Sequence, residues 1–160
     1  MNQFLQEEVT LTALSEQSIR IAKFGRSVPG SEVYRQDSIL QFQSAIAKGI
    51  ITSPVGVLTD LASIPNLWQG LFLKHDDPVI FRGAVIHDWL YGNKGRITVF
   101  ANGKLWPMLL SRKECDWVLR ECMDACGATP MQIDTVYDIL RLLGDSWGDN
   151  YPLSERFSLT

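Results

Sequence analysis

The 160-residue chain has few cysteines, no long apolar run and no excess of basic charge. Three cysteines cannot supply the paired framework of a small disulfide-stapled secreted fold. All three lie between Cys115 and Cys126, at spacings of seven and four that suit one helix face. They read as reduced core residues of a cytoplasmic protein. No C-x-x-C pair and no neighbouring histidine supports a zinc site. No apolar run approaches the roughly 18–20 residues that span a bilayer, so no transmembrane segment is expected. The first eight residues lack a basic region followed by an apolar one, so no secretory signal is expected. Fifteen Lys and Arg against 18 Asp and Glu leave a net charge of −3. That balance excludes a dominant electrostatic footprint for nucleic acid.

What is present is ordinary for a folded chain. Hydrophobic residues make up 46% and charged residues 21%, which excludes a disordered or coiled-coil architecture. The length suits one domain over residues 1–160. The first 55 residues read as β-rich. Residues 18–24 alternate apolar and polar, the mark of a half-buried strand, with 9–14 as its partner. Residues 32–35, 39–43 and 50–53 are shorter strands of the same antiparallel meander.

The second half reads as helical. Asp77-Pro78 opens a helix over 78–91, with Gly92 at its stop, and its apolar residues run nearly all round, as in a buried central helix. Ser111-Arg112-Lys113-Glu114 is a capping box for a helix over 112–126 that stops at Gly127. Thr129-Pro130-Met131-Gln132 opens another over 130–143, and a short helix is expected around 65–73. Between the first two firm helices, residues 96–106 form a hairpin turning on Asn102-Gly103. It reads as an insertion, either a decoration or a flap. Residues 145–160 carry no signal. The expected fold is α+β: an N-terminal antiparallel meander packed on a three-helix core.

The reactive groups concentrate in three places: Thr59-Asp60-Leu61-Ala62-Ser63-Ile64-Pro65, His87-Asp88-Trp89-Leu90-Tyr91, and Asp116. On a helix, Gly83, Ala84 and Tyr91 neighbour His87, so small residues leave a recess beside the imidazole. Asp88 points about 100° away and flanks the same cavity from another direction. A buried histidine or carboxylate needs a partner. Asp116, at the edge of an apolar stripe, is the natural one, and Asp60 is a second candidate ligand. A carboxylate that orients a histidine, with others that hold a hard cation, is a recipe for ester hydrolysis by activated water. The alternative is a buried polar network that only locks sheet to helices. His75-Asp76-Asp77 reads as a polar helix entrance. The five tryptophans, Trp68, Trp89, Trp106, Trp117 and Trp147, read as core and edge packing.

The three motifs, Gly56 to Pro65, Gly83 to Tyr91 and Ser111 to Asp116, resemble a family of unknown function common in tailed-phage and prophage genomes. Val57 departs from it, standing where that family carries an aromatic. More distantly, the chain is similar to the secreted phospholipases A2, above all the small bacterial and fungal ones. The resemblance implies His87 as general base, Asp116 as its orienter and Tyr91 as a hydrogen-bonder behind them. It implies Asp60, Leu61 (through its carbonyl) and Asp88 as ligands of calcium, with magnesium less suited. The cysteine count, the N-terminal sheet and the hairpin depart from those enzymes. The expected function is a phage- or prophage-encoded, calcium-dependent, phospholipase A2-like hydrolase, with membrane lipid as substrate. The other class is a non-enzymatic virion protein of the tail or baseplate, with other virion proteins as partners. Either would be made in host cytoplasm.

Overall fold

The computed structural model describes residues 2–14, 33–59 and 78–143. The expected strand over 18–24, the short helix around 65–73, the His75-Asp76-Asp77 segment and the tail lie outside the described residues.

The fold is α+β, as expected: eight strands in two antiparallel sheets and three helices among the described residues. In chain order the strands are β1 (Gln3–Phe4), β2 (Leu11–Ala13), β3 (Tyr34–Gln36), β4 (Leu40–Ser44), β5 (Gly49–Ser53) and β6 (Leu58–Thr59). Helix α1 (Pro78–Gly92), strands β7 (Arg96–Ala101) and β8 (Lys104–Leu109), and helices α2 (Arg112–Ala125) and α3 (Pro130–Leu143) follow. One sheet has the order β1-β4-β5-β7-β8 and the other β2-β3-β6.

Period-two alternation makes β4 and β5. Leu40, Phe42 and Ser44 are buried on one strand, and Gly49, Ile51 and Ser53 on its partner. Phe4, Phe42, Ile51 and Val99 are successive cross-strand partners, forming a row that faces the helices. The β4–β5 turn is held from α2: Glu121 accepts hydrogen bonds from the Ser44 hydroxyl at 2.6 Å and the Ile46 amide at 3.1 Å.

Helix α1 lies between two apolar groups. Val85, Ile86 and Leu90 pack with the sheet residues Phe42, Ile51 and Val99. Ile80 and Ala84 pack with Leu119 and Met123 of α2 and with Ile133 and Val136 of α3. Burial on two sides explains a helix apolar nearly all round. The α2 capping box is present, with Ser111 and Glu114 bonded reciprocally. Thr129 and Gln132 do the same for α3.

Two details refine the expectation and a third corrects it. The strands divide between two sheets, with β2 pairing with β3 apart from the main one. The hairpin stands between α1 and α2 as expected, and β7 pairs with β5, so it extends the main sheet through pairing across distant chain positions. Gly92 does not stop α1. The chain turns at Lys94 and Gly95, both with positive φ. Gly95 is required there, since a Cβ would lie 1.9 Å from the Leu110 carbonyl oxygen. Gly95→Ala is expected to cost about 2 kcal/mol or more, adding left-handed strain to overlap with backbone. A urea midpoint unchanged from wild type would show that the turn can be rebuilt.

Candidate functional site

Helices α1 and α2 cross antiparallel, and their contacts descend in steps of one turn. Arg82 donates to Cys126 Sγ at 3.5 Å. A Cβ on Gly83 would lie 2.9 Å from both Cys122 and Leu119 side chains. Next come His87 with Asp116, and then Tyr91 with Arg112. The expected recess beside His87 is therefore absent at Gly83. Its missing side chain lets α2 approach, and that approach brings Asp116 to the imidazole.

His87 and Asp116 are buried, 3% and 1% exposed. His87 Nε2 lies 3.0 Å from Asp116 Oδ1. An ionised carboxylate only accepts, so Nε2 carries the proton and donates. The Tyr91 hydroxyl donates to the same oxygen, and its ring lies 4.1 Å from the imidazole, centroid to centroid. Arg141 of α3 donates to Asp116 Oδ2 at 3.0 Å. Arg112 donates to the Tyr91 hydroxyl at 3.3 Å and to the Leu140 carbonyl at 2.5 Å, tying the end of α3 to the cluster.

The other face of the imidazole is different. His87 Nδ1 is buried and has no hydrogen-bond partner, alone in this among the side-chain polar atoms of the described residues. Once the ring is neutral, with its one proton on Nε2, it presents a lone pair at Nδ1. Asp88 Oδ1 stands 3.9 Å from it, too far for a hydrogen bond. Asp88 accepts from the Thr59 hydroxyl, which fixes β6 against α1.

The charges are interlocked. Burial by itself would raise the Asp116 pKa, but His87 first, then Tyr91 and Arg141, hold it below the usual carboxylate range. Burial by itself would lower that of His87, but the Asp116 and Asp88 carboxylates outweigh it and raise it. Burial pushes the Cys115 and Cys122 thiols up; all three cysteines are free, Cys115 and Cys122 in the core as expected and Cys126 only half-buried.

The two shifts give stability opposite pH limits. Asp116 stabilises above about pH 4 and loses this as pH falls through its lowered folded value. His87 stabilises below about pH 6.5 and loses this as pH rises through its raised folded value. Urea midpoints measured against pH are expected to peak between these limits. Asp116→Asn should flatten both, and an unchanged profile would show that other groups set them.

The structure thus brings together His87, Asp88, Tyr91 and Asp116. Asp60 and Leu61 lie outside the described residues, and among those described no group of three or more metal-capable side chains occurs. Sequence reading missed Arg141, met Thr59 only as the head of a motif and Arg112 only in a capping box. Arg141 stands in the last turn of α3, with nothing local to mark its partner.

Fold and site define a class: an α+β protein with a buried histidine–carboxylate centre where two helices cross a sheet. The chain belongs to the DUF1353 family, described as proteins of unknown function, whose model matches residues 36–139 and so takes in His87, Asp88, Tyr91, Arg112 and Asp116 but not Arg141. No curated protein and no solved structure matches the chain.

Proposed function

We propose that the protein is a phage- or prophage-encoded, calcium-dependent, phospholipase A2-like ester hydrolase that uses His87 to activate water. One observation carries the reading. A buried imidazole whose Nε2 is held by a carboxylate offers an Nδ1 that has no partner among the described residues. A water bonded there would pass its proton to Nδ1 as it attacks an ester carbonyl. Asp116 then stabilises the imidazolium, while Tyr91 and Arg141 hold Asp116 in place. The phage assignment rests on the resemblance of the three motifs.

The donors around Asp88 fit a hard cation in part. Asp88 offers carboxylate oxygen and is 16% exposed. Its bond with Thr59 brings the chain to the residue before Asp60. Asp88, Asp60 and the Leu61 carbonyl would hold the ion. Calcium bound there supplies positive charge to polarise the ester carbonyl. Oxygen donors favour calcium or magnesium over zinc, and the resemblance to the phospholipases favours calcium.

A second reading, a non-enzymatic virion protein, has its own support: Asp116 is saturated by three donors, as in a structural network. Fatty-acid release from mixed phospholipid vesicles, with calcium and with chelator, separates the two. Calcium-dependent release is expected. No release at any calcium concentration would leave the structural reading.

A further inference from the structure

The β7–β8 hairpin exposes apolar side chains that the sheet does not need. Phe100 and Leu105 are cross-strand partners, 43% and 70% exposed. Trp106 is 51% exposed, although its partner Val99 is buried. Phe100 and Leu105 share one face of the hairpin and Trp106 stands on the other with Val99, so apolar side chains flank the Asn102-Gly103 tip on both faces. Their charge setting is one-sided. No acid occurs between Asp88 and Glu114, while Lys94, Arg96, Lys104, Arg112 and Lys113 do, in a chain of net charge −3. Arg112 is buried, but Lys94, Lys104 and Lys113 are exposed.

The backbone of this edge does not invite a further strand. Asn102 and Gly103 have positive φ, which makes the two-residue turn of a tight hairpin closed by Ala101 and Lys104. Counting from that closing pair, Thr98 and Pro107 form a non-hydrogen-bonded pair. The backbone nitrogen of Pro107 therefore faces the open edge, where it has no hydrogen to donate. Contact at this edge falls to side chains. Three of them are far fewer than the roughly 20–30 residues per side of a stable protein interface.

We propose that the hairpin docks the protein on an anionic lipid surface. Phe100, Leu105 and Trp106 enter the interfacial layer, and Lys104 beside the tip meets lipid phosphates. The choice of lipid rests on the hydrolase reading, but the docking stands on its own observations. The hairpin follows α1 directly, so docking holds the helix that carries His87 near its substrate.

The test is co-sedimentation with vesicles of phosphatidylcholine alone and with phosphatidylglycerol added, in chelator so that no hydrolysis occurs. Wild type is expected to pellet with the anionic vesicles and not the neutral ones. Lys104→Gln should weaken binding about fivefold, the contribution of one cation near a charged surface. Leu105→Ser with Trp106→Ser should abolish it, with an unchanged circular dichroism spectrum confirming the fold. His87→Gln should bind like wild type. Equal pelleting by wild type and the double variant, or none by wild type, would overturn the proposal. So would a concentration-dependent dimer lost in Leu105→Ser, which would assign the patch to a second copy. Binding without hydrolysis defeats only the hydrolase reading. Hydrolysis of a soluble short-chain ester without vesicle binding defeats only the docking.

Discussion

Replacing His87 with glutamine is expected to lower calcium-dependent ester release by about 10²–10⁴-fold, the usual weight of a general base. The protein should stay folded. The glutamine amide can donate to Asp116 Oδ1 as Nε2 does, so the carboxylate keeps its donors. What disappears is the lone pair at Nδ1, the one atom of the cluster without a partner among the described residues. Initial rates beside urea midpoints make the check. A large fall in rate with a midpoint close to wild type is the expected pair. A wild-type rate would remove His87 from the chemistry. A collapsed midpoint would make the imidazole a structural member of the network.

Asp116→Ala is expected to be the most destabilising substitution in the cluster, by about 3–5 kcal/mol. The carboxylate is buried and receives three donors: His87 Nε2, the Tyr91 hydroxyl and Arg141. Alanine removes the acceptor of all three of these hydrogen bonds, one of them from a guanidinium only 26% exposed. The loss would also loosen α3, whose last turn is tied to the cluster through Arg141 and Arg112. Equilibrium urea unfolding gives the number. A cost under about 1 kcal/mol, the level of a surface pair, would mean that water replaces the carboxylate freely.

Much of the fold was legible because its signals are local. The capping boxes at Ser111 and Thr129 need only neighbouring residues to satisfy helix N–H groups, and both form where the motifs stand. Asn102-Gly103 turns a hairpin because positive φ is cheap at those residues. Alternation in β4 and β5 marks a half-buried sheet whatever its neighbours.

The rest is decided by what distant segments present to one another. Nothing near residues 96–109 says that β7 pairs with β5, because the ladder joins backbone groups about fifty residues apart. Gly83 reads locally as empty space, yet α2 fills it. The same close approach makes one pair of His87 and Asp116, which the sequence could only nominate. Arg141 shows the limit most clearly. Its charge is plain in the sequence, but its carboxylate lies on another helix, and only packing of α3 against α1 and α2 brings the two within 3.0 Å. The chain by itself determined which side chains could do chemistry and which local elements carry them. The tertiary structure decided which of them meet, because burial penalises a polar group without a partner, and among the described residues it leaves Nδ1 of His87 alone in that state.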